Sequence, residues 1–169
     1  TTTTNVGTST ISAFGANDEN YAFTYKTGLL TITKATLIAT ADNKSRSYGE
    51  ANPTFTFSYT GFKNGETSAV IDTAPTASSA ATPTTNVGTA TITAFGGSDN
   101  NYSITPVNGT LTIDKANQII TFNPLVNKNF GEDPFNLTAT SSSGLPVIDT
   151  SSNTNIATVS GNTVTIVAI

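Results

Sequence analysis

The sequence predicts an all-β protein made of tandem Ig-like or Greek-key β-sandwich repeats, and three observations support this. Residues 5–35 recur without a gap as residues 86–116, with identity at 19 of 31 positions. Apolar and polar residues alternate with a period of two, and threonine, which suits the wet face of a strand, makes up about a fifth of the chain. Short glycine- and asparagine-containing turns separate these segments, as they do in β-sandwiches.

The register of the repeat predicts where its units begin and end. Lys34-Ala35 and Lys115-Ala116 both follow a Leu-Thr-Ile strand, so a unit ends at each of these places. Residues 36–116 are therefore predicted to be one complete repeat. Residues 1–35 are predicted to be the closing strands of a preceding repeat.

The remaining residues, 117–169, are predicted to be the opening part of a diverged β-sandwich. Phe130-Gly131-Glu132 lies 82 residues after Tyr48-Gly49-Glu50 and repeats its pattern of an aromatic residue, a glycine and a glutamate. We expect both end pieces to be completed by further parts of a longer chain, which we favour, or by strands from neighbouring copies. Strands are predicted at Phe135–Thr140, Val147–Thr150, Ile156–Ser160 and Thr163–Val167.

Within the complete repeat, the alternation assigns residues to a core. Asn108-Gly109, between two alternating segments, predicts a type I′ hairpin of Tyr102–Pro106 with Thr110–Asp114. In the first copy, Phe14 and Tyr21 are expected to be core residues in the same way as their counterparts. Phase and recurrence predict a buried set comprising Phe55, Phe57, Ile92, Phe95, Tyr102, Leu111 and Ile113.

Composition excludes several classes of function. The chain has no Cys, His, Met or Trp, so it offers no thiol, no imidazole and no zinc site of the usual kind. The acidic residues are mostly single and lie beside turns, which argues against a catalytic carboxylate pair. We therefore predict no enzymatic activity, no catalytic residue and no cofactor.

Charge and hydropathy exclude two kinds of partner. The net charge of −4 comes with no basic run, so nucleic-acid binding is not expected. No apolar run reaches the roughly 20 residues that a membrane span needs, so we expect no membrane insertion of this segment.

The repeat resembles a known family through a set of motifs. In residues 36–116, and in the closing part of a second copy in residues 1–35, the chain is similar to the MBG domain family of the YGX type. Residues 117–169, with Ser143-Gly144-Leu145-Pro146-Val147, resemble the start of a bacterial Ig-like repeat. The motifs that carry the first resemblance are Tyr48-Gly49-Glu50, Asn52-Pro53, Gly61-Phe62-Lys63-Asn64-Gly65-Glu66, Asn101-Tyr102 and Gly109-Thr110-Leu111-Thr112-Ile113.

The resemblance implies a module that occurs in tandem in large secreted or surface-anchored bacterial proteins, often adhesin-like ones. It brings no catalytic residue, and it implies that the motif glycines and aromatic residues are structural. An extracellular location at the bacterial cell surface follows from the same resemblance.

Two candidate sites remain. Asp18 and Glu19 align with the loop that holds Asp99, so both copies place oxygen ligands where a calcium ion would bind. The alternative, which we favour, is that these side chains bond to the backbone of a tight loop, so that no metal is needed. Thr73, in Asp72-Thr73-Ala74, resembles the acceptor of bacterial protein O-glycosylation.

The function predicted from the sequence is a non-catalytic stalk or spacer in a large secreted or cell-surface adhesin-like protein. Junctions without a flexible linker predict that consecutive repeats, the expected partners, stack as a stiff rod. A glycan or a host ligand would be bound by distal domains. One alternative is a carbohydrate-binding module, which a row of solvent-facing rings would favour. Another is a segment of a surface filament in which strands of neighbouring copies complete the ends.

Overall fold

The computed structural model describes residues 5–167 and divides into two compact units, Thr1–Lys115 and Ala116–Ile169. In the described range the regular structure is β-strand, apart from one 3-10 turn at Ser68–Val70. The predicted all-β class is confirmed. The assignment of residues 1–35, 36–116 and 117–169 to three repeats stays a prediction, and its outer ends, residues 1–4 and 168–169, lie outside the described residues.

The first unit contains nine strands in its described part. They are β1 Gly7–Ser12, β2 Thr27–Ile32, β3 Ala35–Ala41, β4 Lys44–Ser47, β5 Phe57–Thr60, β6 Thr76–Ser78, β7 Gly88–Phe95, β8 Tyr102–Val107 and β9 Gly109–Asp114.

Strands β3 to β9 form two sheets that share one core. One sheet has the order β5-β3-β8 and the other the order β4-β9-β7-β6. Ile92 in β7 and Leu111 in β9 pack with Ala41 at the end of β3, and Phe55 and Phe57 pack partly buried against them. Residues of both sheets therefore meet in one hydrophobic cluster, as in a β-sandwich.

Two of the strand pairs in this sandwich are parallel. β3 pairs with β8, and β4 pairs with β9. Parallel neighbours need a long crossover connection, because a tight turn can join only antiparallel strands. Each sheet therefore combines strands from the first part of the repeat, β3 to β6, with strands from the second part, β7 to β9.

The predicted hairpin at Asn108-Gly109 is wrong. β8 and β9 are separated by Asn108 alone, yet they lie in different sheets. Neither residue has the positive φ that a type I′ turn requires. A glycine is required at position 109 for a different reason, which is the close approach of another backbone segment. A Cβ there would lie 2.4 Å from the backbone oxygen of Ala41. The glycine permits close contact between two backbones where the chain crosses from one sheet to the other.

The predicted core is confirmed for most of its members. Ile92, Tyr102, Leu111 and Ile113 are buried, and Phe55 and Phe57 are half-buried. Phe55 lies just before β5, and the other residues lie on the alternating buried positions of their strands.

Phe95 is the exception in the complete repeat, because its side chain is 48% exposed. It lies three residues after Ile92, and an odd spacing along a strand places two side chains on opposite faces. The position of Phe95 in the alternation of β7 therefore predicts its exposure correctly, whereas its recurrence in both copies does not.

Residues 5–35 contribute the antiparallel pair β1–β2. Gly7 pairs with Ile32 and Ile11 with Gly28, which is the register of Gly88 with Ile113 and of Ile92 with Gly109 in the pair β7–β9. The sequence repeat is therefore also a repeat of strand pairing.

The second unit has short strands in two small sheets. Its described strands are β10 Ile120–Thr121, β11 Phe135–Asn136, β12 Thr140–Ser141, β13 Ala157–Ser160 and β14 Thr163–Ile166. β10 pairs with β12, and β14 lies between β11 and β13.

The strand predictions for the second unit are partly confirmed. The last two strands form at the predicted places, but the strand predicted at Phe135–Thr140 is split between the two sheets. The strand predicted at Val147–Thr150 does not form, and no other part of the described chain pairs with this segment. Ile148, within it, is exposed.

The glutamate motifs of the two units form the same corner. Glu50 Oε2 accepts the N–H of Ser47 at 3.0 Å, and Glu132 Oε1 accepts the N–H of Asn129 at 3.0 Å. In return each glutamate N–H donates to the backbone oxygen of the same residue, at 3.2 and 3.3 Å. The pKa of Glu132 is lowered from its usual value. The leading cause is the bond that its carboxylate accepts from the Asn129 backbone N–H.

Candidate functional site

The loop that leads into β8 contains the candidate metal ligand Asp99. This carboxylate is buried, and its Oδ1 accepts the N–H groups of Asn101 at 2.7 Å and of Tyr102 at 2.9 Å. A carboxylate that satisfies two backbone donors fixes the loop and the start of the strand. Asp99 therefore has a structural task that requires no ion.

The equivalent loop in the first copy is arranged in the same way. Asp18 Oδ1 accepts the N–H of Asn20 at 2.8 Å, which is the counterpart of the bond between Asp99 and Asn101. Glu19 is exposed beside it. Among residues 5–167, no three acidic, histidine or cysteine side chains lie close enough together to hold a metal ion.

The same loop fastens residues 5–35 to the complete repeat. Asn101 Oδ1 accepts the N–H of Val6 at 3.0 Å, and Asn101 Nδ2 donates to Asn5 Oδ1 at 3.2 Å. Lys34 Nζ donates to the backbone oxygen of Asp99 at 2.7 Å. We call these residues, Asn5, Val6, Lys34, Asp99 and Asn101, the junction clamp.

The chain itself crosses this junction without a spacer. β2 ends at Ile32 and β3 begins at Ala35, so only Thr33 and Lys34 lie between them. The N–H of Ala35 donates to the backbone oxygen of Asn101 at 2.9 Å. Two residues that are fixed on both sides have none of the freedom of a coil linker.

Tyr102 lies under the junction clamp and is almost fully buried. Its hydroxyl donates to Glu66 Oε2 at 2.5 Å and accepts the N–H of Lys63 at 2.9 Å, while its ring meets Phe62 edge-on with centroids 5.5 Å apart. Burial raises the pKa of Tyr102, and the bond to Glu66 adds to the shift. The tyrosine thus ties the loop of Lys63 to Glu66 onto β8.

The turn in that loop agrees with its sequence. Asn64 has a φ of 56° and Gly65 a φ of 74°, the left-handed values that an Asn-Gly turn favours. The N–H of Glu66 donates to the backbone oxygen of Lys63 at 2.9 Å and closes the turn.

A small open cavity of about 170 Å³ lies beside the junction clamp. Its lining combines the end of β2 with the Lys63–Glu66 loop and Tyr102. The carboxylate of Glu66 is already bonded to the Tyr102 hydroxyl. The polar groups of this cavity therefore link residues 5–35 to the Lys63–Glu66 loop and to β8, which is a structural arrangement.

Thr73, the candidate O-glycosylation site, lies on an exposed segment. Its backbone makes a two-way bridge with Ser98, with N–H to O distances of 3.0 and 2.9 Å. The neighbouring Asp72 accepts the N–H of Asn100 at 2.9 Å. The Thr73 side chain is thus exposed on a fixed backbone, and its glycosylation stays a prediction.

The aromatic residues do not all follow the expectation of a core. Tyr102 is buried, but its counterpart Tyr21 is 73% exposed and Phe14 is 89% exposed, so the expectation was wrong for the first copy. In the complete repeat, the exposed rings among the described residues are Tyr48 and Phe95. One follows β4 and the other ends β7, so they do not form a row along one strand.

Sequence reasoning missed a buried arginine. Arg46 is 5% exposed, and its guanidinium donates to Asn52 Oδ1 at 2.8 Å and to the backbone oxygen of Thr82 at 2.6 Å. Asn52 in turn donates to the backbone oxygen of Ala81 at 2.7 Å. The strand that holds Arg46, β4, contains no apolar residue, so the alternation gave no indication that one of its side chains is buried. The roles of Asn101 and Lys34 in the junction clamp were missed in the same way.

Comparison with known proteins finds a similarity for part of the chain. No curated protein and no solved structure matches it. In residues 5–167, no helix is long and apolar enough to span a membrane. Residues 37–112, however, match the family model of the MBG domain (YGX type). This part of the chain, which includes most of both sheets and the loop that leads into β8, is thus similar to a β-rich repeat domain that is typical of bacterial surface proteins.

Proposed function

We propose that this segment is a non-catalytic stalk in a large secreted or cell-surface, adhesin-like bacterial protein. Its task would be to hold a distal binding or catalytic domain away from the cell. The observation that supports this most directly is the junction clamp, in which side chains of one repeat bond to the backbone of another across a two-residue connection.

The chemistry of the surface supports the same function. Threonines occupy the exposed positions that alternate with the core in β7, where Thr89, Thr91 and Thr93 are exposed. Few charged residues interrupt these faces, so neighbouring repeats do not repel one another strongly. The partners of the segment would be adjoining repeats of the same chain, with any glycan or host ligand bound by domains elsewhere.

The test is how length scales with repeat number. Proteins with two, four and six copies of residues 36–116 would be measured by small-angle X-ray scattering. A stalk requires the maximum dimension to grow in proportion to the number of copies. Growth near the square root of that number, as for freely jointed beads, would contradict the proposal.

A matched control separates the junction clamp from the rest of the fold. In the same series, the counterparts of Lys34 and Asn101 would be changed to alanine at every junction, with the core untouched. We expect the circular dichroism spectrum to be unchanged and the scattering curve to indicate bending. If the rod stays straight, the clamp is not the source of stiffness.

A further inference from the structure

The β1–β2 pair exposes a face whose counterpart is buried. Ile11 is 55% exposed and Leu30 is 48% exposed, whereas Ile92 and Leu111 at the same register positions are fully buried. The strand pairing has the same register in both copies, and Ile11 and Leu30 are the same residue types as Ile92 and Leu111, so local structure does not explain the contrast. What differs is the chain that packs on the sheet.

The complete repeat shows what would cover this face. β4 pairs in parallel with the free side of β9, and β6 pairs with the free side of β7. Ala41 and Ala81, with Phe55 and Phe57, supply the apolar cover. All of these come from residues 35–85, which we call the opening half. Among the described residues, β1 and β2 pair only with each other.

A retained glycine points to the same missing neighbour. At Gly109 a Cβ would lie 2.4 Å from the backbone oxygen of Ala41, so the opening half leaves room for glycine alone. Gly28 occupies the equivalent position in β2, and there a Cβ would meet nothing within 4 Å. In this structure Gly28 has no neighbour that requires a glycine.

The third strand of the closing half is also missing in the first copy. β8 forms beside β3, which belongs to the opening half. Its counterpart, residues 21–26, has no strand, and Tyr21 is exposed where Tyr102 is buried. A strand whose only neighbour is absent cannot satisfy its backbone groups in a sheet.

We propose that the exposed face of residues 5–35 is a docking surface for an opening half with the strand pattern of residues 35–85, joined covalently on the N-terminal side of β1. In the complete repeat the opening half runs into β7 through residues 79–87. The sequence of that connection is repeated before β1, where Thr1, Thr3 and Thr4 match residues 82, 84 and 85. This proposal concerns packing within one repeat and does not depend on the stalk function.

The experiment supplies the opening half. A second copy of residues 36–81 is placed directly before Thr1 of the 169-residue chain, which keeps the register of the repeat. Amide hydrogen exchange is then compared with that of the unextended chain. We expect exchange to slow at least roughly tenfold in β1, in β2 and in residues 21–26, and binding of a hydrophobic dye to fall. Unchanged exchange in these segments would overturn the proposal.

Gly28→Ala distinguishes docking of the opening half in the proposed geometry from non-specific protection by the added residues. In the unextended chain the substitution should leave the exchange of β1 and β2 unchanged, because the site is open. In the extended chain it should remove most of the added protection, because the new Cβ would meet the docked backbone. Equal behaviour in both chains would contradict the docking geometry.

Two controls test whether apolar packing causes the protection and whether the covering segment belongs to the same chain. An extension with Phe55→Asp and Phe57→Asp in the added copy should give no protection, since it lacks the apolar cover. Sedimentation of the unextended chain should show no self-association through this face. Association through the face would be recognised because Ile11→Asp abolishes it. If such association is found, the face is covered by a second copy, and the covalent assignment is wrong.

Discussion

At the residue scale, burial is decided by what lies opposite a side chain. Ile92 and Ile11 occupy the same place in a repeated sequence and in a repeated strand pair, yet one is buried and the other is largely exposed. Removing methylene groups from a packed core costs both transfer free energy and cavity formation, whereas the same change at an exposed position costs little. The two isoleucines therefore provide an internal comparison.

Ile92→Ala should lower the free energy of unfolding by about 2–4 kcal/mol, because it empties part of the core beside Leu111. Thr91→Ala, on the exposed face of the same strand, should cost far less. Ile11→Ala is the matched control at the equivalent exposed site and should also cost little. Urea unfolding followed by circular dichroism measures all three, and equal losses at Ile92 and Ile11 would refute the difference in packing.

Tyr102 should make the stability of the fold depend on alkaline pH. Burial raises its pKa above the ordinary value of 10.0, so the folded state favours the neutral phenol. The stabilisation is fully present below pH 10 and is lost as the pH rises through the folded-state pKa.

Two measurements check this. Ultraviolet titration should show tyrosines that ionise later in the folded protein than in urea, and Tyr102→Phe should remove one of these late steps. Tyr59, whose pKa is also raised by burial, will leave some alkaline dependence in the variant. A titration that Tyr102→Phe leaves unchanged would contradict the assignment.

At the element scale, the important feature is the crossing from β8 to β9. Asn108 alone separates two strands that lie in different sheets, and the Asn108 side chain accepts the N–H of Ala94 at 2.9 Å. The crossing brings Gly109 against the end of β3. The fold therefore depends here on contact between two backbones, which side-chain patterning does not reveal.

Gly109→Ala should destabilise the protein by about 1–3 kcal/mol, the usual cost of forcing an extra carbon into a filled space. The cause is the backbone oxygen of Ala41, which would have to move away from the new Cβ. Gly28→Ala places the same change in open space and should be close to neutral. Thermal unfolding of the two variants makes the comparison, and similar losses for both would show that backbone propensity alone is responsible.

At the scale of the whole molecule, the loops at Asp18 and Asp99 decide whether an ion contributes to the fold. Each copy uses one aspartate to accept backbone N–H groups, and among the described residues no three acidic, histidine or cysteine side chains lie together. A strong calcium site takes six to eight oxygen ligands, several of them carboxylates.

The unfolding temperature should therefore be the same in excess Ca²⁺ and in a chelator. A ligand that binds only the folded state would raise it, by an amount that grows with ligand concentration. Differential scanning calorimetry of the 169-residue protein gives the comparison. A rise of several degrees with Ca²⁺, absent in an Asp99→Asn variant, would restore the calcium hypothesis for this loop.

The sequence by itself determined the class of this protein and most of the core of its complete repeat. Alternation along β7 and β9 predicted that Ile92, Leu111 and Ile113 are buried, because a strand has a fixed period of two. The ungapped repeat predicted equivalent elements, and β1–β2 has the same register as β7–β9. Local patterns were sufficient for these features, since each depends on neighbours along the chain.

Tertiary structure alone decided which strands pair, what covers them and which polar groups are used. The parallel pairs β3–β8 and β4–β9 join residues far apart in the sequence, and no local turn signal indicates them. For this reason the local pattern at Asn108-Gly109 predicts a hairpin that does not form, and nothing in the pattern indicates the roles of Asn101 and Arg46. Burial of a side chain and use of a hydrogen-bonding group both depend on the chain that lies opposite. Repeated segments such as β1 and β7 can therefore have different environments within one molecule.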